Sequence, residues 1–217
     1  MSYNNAASLP TKDVVLVTVN HRLGPFGYMA HPLLSQESGY NGSGNYGQMD
    51  LIAALEWVQE NIANFGGDPD TVTIFGESGG GGKTISLMAS PRATGLFHRA
   101  INESGMSTRP SLTLETAEAA GTTVTDELGA DTLEEMRAAS WLEIVSLDST
   151  AYSSPVPFAP NIDGYYMTKS MEKSIEDGLP SDVPFMAGAN TADYPSLIDG
   201  FVYQMPLRAA NSEAPHY

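Results

Sequence analysis

The chain contains no cysteine. Disulfide scaffolds, thiolate zinc sites and cysteine nucleophiles are excluded together. Basic residues are scarce: ten Lys and Arg stand against 26 Asp and Glu, a formal charge of −16. Such a surface repels a phosphate backbone and an anionic bilayer, so nucleic acid and membrane surfaces are poor partners. No run of ~18 apolar residues occurs, and no membrane-spanning helix is expected. The opening residues Met1, Ser2, Tyr3, Asn4 and Asn5 carry neither a basic nor an apolar stretch. No secretory signal is expected from them, which favours the cytoplasm as the compartment.

What is present suffices for a core. Apolar residues make up 41% of the 217 and charged residues only 17%, unlike a disordered tail or a coiled coil. That length predicts one large domain. Val14, Val15, Leu16, Val17, Thr18 and Val19 form a β-branched apolar run and read as a buried strand of a parallel sheet. Residues 20–46, rich in Gly, Pro, Asn and Ser, read as a long loop. Leu51, Leu55, Val58, Ile62 and Phe65 recur at helical spacing and predict a helix over 48–65, ended by Gly66 and Gly67. Further strands are expected at 71–75, 99–102 and 183–187, and a short helix at 84–89. Residues 111–150 hold nine acidic residues and one basic residue, Arg137, and predict an exposed helical excursion with helices at 114–120 and 132–147. Strands alternating with helices argue for an α/β fold with parallel strands.

The chemistry concentrates in Gly76-Glu77-Ser78-Gly79-Gly80-Gly81-Gly82-Lys83-Thr84, a glycine-rich turn over 76–83 between a strand and a helix. Three readings fit. The first is a nucleophile elbow, G-x-S-x-G, in which Ser78 occupies a strained turn that needs small neighbours two positions away. The helix behind it would turn its positive end towards a developing oxyanion. The second is a P-loop ending in Gly82, Lys83 and Thr84. There Glu77 stands where the first glycine belongs, and a carboxylate is repulsive in a phosphate nest. The third is a turn without chemistry, its glycines kept for close backbone approach. Gly42-Ser43-Gly44-Asn45-Tyr46-Gly47 also fits a dinucleotide fingerprint, G-x-G-x-x-G. It lacks the strand that must lead into one, and reads as a loop closing onto the next helix.

The chain resembles the type-B carboxylesterases, the esterase and cholinesterase-like branch of the α/β-hydrolases. Val17-Thr18-Val19-Asn20-His21-Arg22-Leu23-Gly24 and Gly44-Asn45-Tyr46-Gly47-Gln48-Met49-Asp50 carry the resemblance. So do Phe65-Gly66-Gly67-Asp68-Pro69, Val72 to Ser78, and Gly95-Leu96-Phe97-His98-Arg99-Ala100-Ile101 with Ser104-Gly105. It is dense over 13–105 and looser from Asp163-Gly164 to Asp193.

The resemblance implies an α/β-hydrolase domain over 1–217, a mostly parallel sheet with flanking helices, incomplete at both ends. It implies a serine esterase that acts on a small ester through an acyl-enzyme, with neither metal nor organic cofactor. Ser78 falls on the nucleophile and Gly79 on an oxyanion donor through its backbone N–H. Asp193 falls on the triad acid, where the family usually has glutamate. Glu77 and Ser104 fall beside the site as supporting residues, Ser104 being a rival nucleophile that lacks a glycine two positions earlier. Nothing in residues 1–13 matches the family's other oxyanion loop. The family's histidine lies downstream of the acid, and His216 resembles the lead-in to the strand before it. His21, His31 and His98 read as surface or packing residues. Exposed sheet edges would then favour self-association. A catalytically inactive cholinesterase-like binding module and a P-loop nucleotide hydrolase are the alternatives.

Overall fold

The computed structural model describes residues 9–105, 111–151 and 158–190. Five strands lie in these residues: β1 (Thr73–Glu77), β2 (Arg99–Glu103), β3 (Leu112–Thr113), β4 (Asn161–Ile162) and β5 (Phe185–Gly188). β1, β2 and β5 form one parallel sheet in that order, with Thr73 opposite Arg99 and Ala100 opposite Phe185. β3 and β4 form a separate two-stranded parallel pair.

Eight α-helices lie among the same described residues: α1 (Gly24–Tyr28), α2 (Pro32–Glu37), α3 (Tyr46–Asn61), α4 (Gly79–Ala89), α5 (Leu114–Leu128), α6 (Leu133–Ala138), α7 (Trp141–Ala151) and α8 (Met171–Glu176). Several starts have a local cause. Pro25, Pro32 and Thr132 open α1, α2 and α6, the last through a capping box with Glu135. Thr113 caps α5 by accepting the Thr116 N–H, and Gly129, in the left-handed region, ends it.

The core lies where α3 and α4 meet the sheet. Ile52, Leu55, Ile85, Met88, Phe97 and Ala100 join Tyr166 and Met167 in one buried cluster. Tyr166 is fully buried, and its hydroxyl reaches Ser86 and donates to Gln48 Oε1, both at 3.1 Å. Burial raises its pKa. These bonds offset the desolvation that an unpartnered phenol would suffer there.

Several boundaries differ from the sequence expectations, each for a physical reason. Residues 14–19 form no strand with any described residue, and Val14, Val15, Val17 and Val19 are 39–48% exposed. Apolar, β-branched residues favour extension, but only a neighbouring strand makes an extended segment a sheet member. β1 begins at Thr73 because Asp68, accepting the Asp70 N–H, draws Pro69–Thr71 into a 3-10 turn. The helix expected over 48–65 is α3 followed by a 3-10 turn at Ile62–Phe65, and Phe65 ends 62% exposed. The stretch 132–147 is two helices, with Ser140 donating its N–H to Glu143 Oε2 at the break. The glycines at 79–82, expected in a turn, are the first residues of α4. Part of the Pro155–Pro160 passage, with Pro155 and Pro157, lies outside the described residues.

Candidate active site

β1 delivers Ser78 to the carboxyl edge of the sheet, and α4 starts at the next residue. Ser78 has φ 52° and ψ −116°, in the left-handed half of the map that a non-glycine residue rarely occupies. Two backbone bonds hold it there. Its N–H donates to the Glu103 carbonyl at 2.8 Å, and its own carbonyl accepts from the Gly82 N–H at 3.0 Å. The first bond ties the turn to the end of β2, and the second closes the first turn of the helix. The strained residue is polar and exposed, and it is fixed from both sides.

The close approach that such a turn demands is visible at Gly76. A Cβ there would run into the backbone of Gly80. A Cβ on Gly80 itself would meet nothing within 4 Å, so the crowding falls on one side only. Gly79, the first helical residue, is exposed, and no described residue accepts its N–H. The opening amides of a helix have no carbonyl four residues back, so they point outward at the positive end of the helix dipole. An oxygen held beside Ser78 would meet that amide.

Ser104 is a near twin. It too ends a strand, with φ 52°, and its N–H donates to the carbonyl of Gly188 at 2.8 Å. The next residue separates the two. The Gly105 N–H is buried and donates to Asn102 Oδ1 at 2.9 Å, so it cannot also receive an oxyanion. Glu77 lies opposite Glu103 in the β1–β2 register, which brings two carboxylates to one edge of the site. Lys83 folds back so that its Nζ donates to the Gly79 carbonyl at 3.2 Å, and burial lowers its pKa. That lysine is anchored to the helix rather than held over a nest of amides.

None of the histidines at described positions is set up as a base for Ser78. The ring of His31 is buried, with Nδ1 accepting the Leu33 N–H and Nε2 3.2 Å from Thr125 Oγ1. His98 Nδ1 accepts the Val72 N–H at 3.2 Å. His21 Nδ1 lies 3.0 Å from the Arg22 carbonyl. Asp193 and His216 lie outside the described residues. No group of three or more metal-ligating side chains occurs among the described residues. No helix among them is long and apolar enough to cross a membrane.

A residue that sequence reasoning passed over is Asn102. It is 1% exposed at a position where the alternation of β2 calls for an apolar side chain facing α4. A polar residue on the buried phase of a strand was the available signal.

A parallel sheet with a strained serine between a strand and a helix defines an α/β-hydrolase. The chain matches the carboxylesterase family over residues 2–212 and belongs to it. It is 38% identical to the fumonisin B1 esterase of Sphingopyxis macrogoltabida, over 91% of this chain and 37% of that protein. It is 37% identical to the para-nitrobenzyl esterase of Bacillus subtilis, over 97% of this chain and 42% of that one. Among solved structures, a carboxylesterase of Geobacillus stearothermophilus superposes with a TM-score of 0.73 and 36% identity, covering 86% of this chain and 39% of that one. The chain therefore spans roughly two fifths of the length of these relatives. The family favours neither the P-loop reading nor an inactive binding module.

Proposed function

We propose that the chain carries the nucleophile of a carboxylic-ester hydrolase, and that the nucleophile is Ser78. The observation that supports this is the left-handed backbone of Ser78 at the junction of β1 and α4, with the Gly79 N–H next to it. Ser78 Oγ attacks the ester carbonyl carbon, and a base outside the described residues takes its proton. Asp193 orients that base. The Gly79 N–H stabilises the oxyanion, a role worth on the order of 10²–10³ in rate per donor. The C–O bond to the alcohol breaks, and the alcohol leaves with the proton. Water then attacks the acyl-serine by the same route, and the acid is released.

A fluorophosphonate probe, applied to the complete enzyme so that the base is supplied, tests this reading. Adduct mapping by mass spectrometry is expected to find Ser78 modified and Ser104 untouched. Label on Ser104 alone would overturn it. On a p-nitrophenyl short-chain ester, turnover by the complete enzyme is expected to vanish in Ser78→Ala and to persist in Ser104→Ala. The half-exposed valines at 14–19 favour self-association of the 217-residue chain, which sedimentation would read as species larger than 23.1 kDa.

A further inference from the structure

Four consecutive glycines open α4. Each costs roughly 1 kcal/mol relative to alanine in a helix interior, so this first turn has little reason of its own to stay closed. Yet it must stay closed for the Gly79 N–H to keep a fixed direction beside Ser78. Something outside the helix has to hold it.

The side chain of Asn102 is placed to do so. Its Nδ2 donates to the Gly81 carbonyl at 2.8 Å, and its Oδ1 accepts the Gly105 N–H at 2.9 Å. One amide thus joins the helix turn after Ser78 to the turn after Ser104. The two backbones touch directly at this point. A Cβ on Gly81 would lie 2.7 Å from Gly105 Cα and 2.8 Å from Asn102 Oδ1, and a Cβ on Gly105 would run into Gly81. Both polar ends of a buried amide are satisfied by backbone, the condition under which such a group stabilises rather than costs.

We propose that Asn102 is a positioning residue, which clamps the all-glycine first turn of α4 and so aims the Gly79 N–H at the oxygen that forms on Ser78 attack. The inference rests on Ser78 being the nucleophile. The substitution Asn102→Ala would remove both bonds of the clamp. The substitution Asn102→Asp would keep the acceptor for Gly105 and lose the donor to Gly81, so it loosens the helix turn alone.

The test compares the complete enzyme with its Asn102→Ala and Asn102→Asp variants by fluorophosphonate kinetics at Ser78, thermal melting and amide hydrogen exchange. Misplacement by about an ångström costs on the order of 10² in rate. The saturating rate of labelling is therefore expected to fall by about that factor in both variants, with the half-saturating probe concentration unchanged. Exchange at Gly82, whose N–H closes the turn onto Ser78, should rise at least about tenfold in both. Exchange at Gly105 should rise only in the alanine variant. A folded variant that labels at the native rate would overturn the proposal. If the complete enzyme takes no label at Ser78, the esterase reading falls, and Gly82 exchange decides the clamp by itself: unchanged protection in Asn102→Asp would sink it. Should Asn102→Ala not fold, Asn102→Asp carries both measurements.

Discussion

Two glycine-rich passages each lead into a helix, and the chain uses them in opposite ways. Residues 42–47 end in α3, and residues 76–82 run into α4. In the first passage Ser43 and Asn45 turn inward. Ser43 is fully buried, with its Oγ accepting the His31 N–H and 2.7 Å from Ser35 Oγ. Asn45 exchanges two bonds with the backbone of Asn161, and Asn161 Nδ2 donates to the Ser43 carbonyl at 2.8 Å. Gly44 takes φ 88°, and a Cβ on Gly47 would strike the Arg22 carbonyl. In the second passage the crowding lies behind the serine, at Gly76 and Gly81, while Ser78 and Gly79 face outward. A serine whose bonds are all internal is structure. One held by its backbone with its hydroxyl exposed is available for chemistry.

Replacing the two serines gives the largest contrast. Ser78→Ala in the complete enzyme is expected to lower ester turnover on the order of 10⁶-fold, as loss of a triad nucleophile does. Ser43→Ala should leave turnover within about tenfold and instead lower stability by roughly 1–3 kcal/mol, since buried partners lose their bonds. Equal losses of turnover in a paired assay would erase the distinction between the passages.

The glycines come next. Gly47→Ala and Gly81→Ala each force a Cβ against backbone and should destabilise by roughly 1–3 kcal/mol or more. Gly80→Ala meets open space and should be neutral or stabilising by up to ~1 kcal/mol. Urea titration of the three variants checks the order. A Gly80→Ala variant as damaged as Gly81→Ala would mean that the first turn of α4 is tighter than described.

The smallest effect is a pH slope confined to the first passage. Burial holds the His31 pKa below imidazole's ordinary 6.5, against an upward pull from Glu118 and Asp126. The native state therefore binds fewer protons than the unfolded chain, and stability is full above that value and declines as pH falls beneath it. Protonating Nδ1 would also remove the acceptor for the Leu33 N–H at the start of α2. His31→Gln should flatten this slope in denaturant melts taken from pH 6.5 downward. A slope identical to the native one would assign it to the carboxylates instead.

Much of the fold was legible because periodicity and local chemistry act over a few residues. Leu55 and Val58 on α3, Ile62 just beyond it, the Gly66 stop, and the strand–serine–helix order at 73–89 all follow from neighbours in the chain, whereas Leu51 is only half-buried and Ile52 beside it takes the core position. What escaped depends on distant partners. Residues 14–19 have a strand's composition and no described strand beside them. Phe65 keeps the helical spacing, but the turn tightens to 3-10 before it and carries the ring out to solvent. Asp193 was picked out by resemblance alone, and its setting lies outside the described residues.

By itself the sequence determined that Ser78 would sit at the junction of a strand and a helix with small residues around it, because a tight turn restricts which side chains fit within two positions. It determined equally that no thiol chemistry would occur. The tertiary structure alone decided which of two strained serines keeps an unused amide after it. That depended on Asn102, 24 positions beyond Ser78 in the sequence, reaching both Gly81 and Gly105. A hydrogen bond between separate elements leaves no periodicity in the chain, so only the packing of β2 against α4 could reveal it.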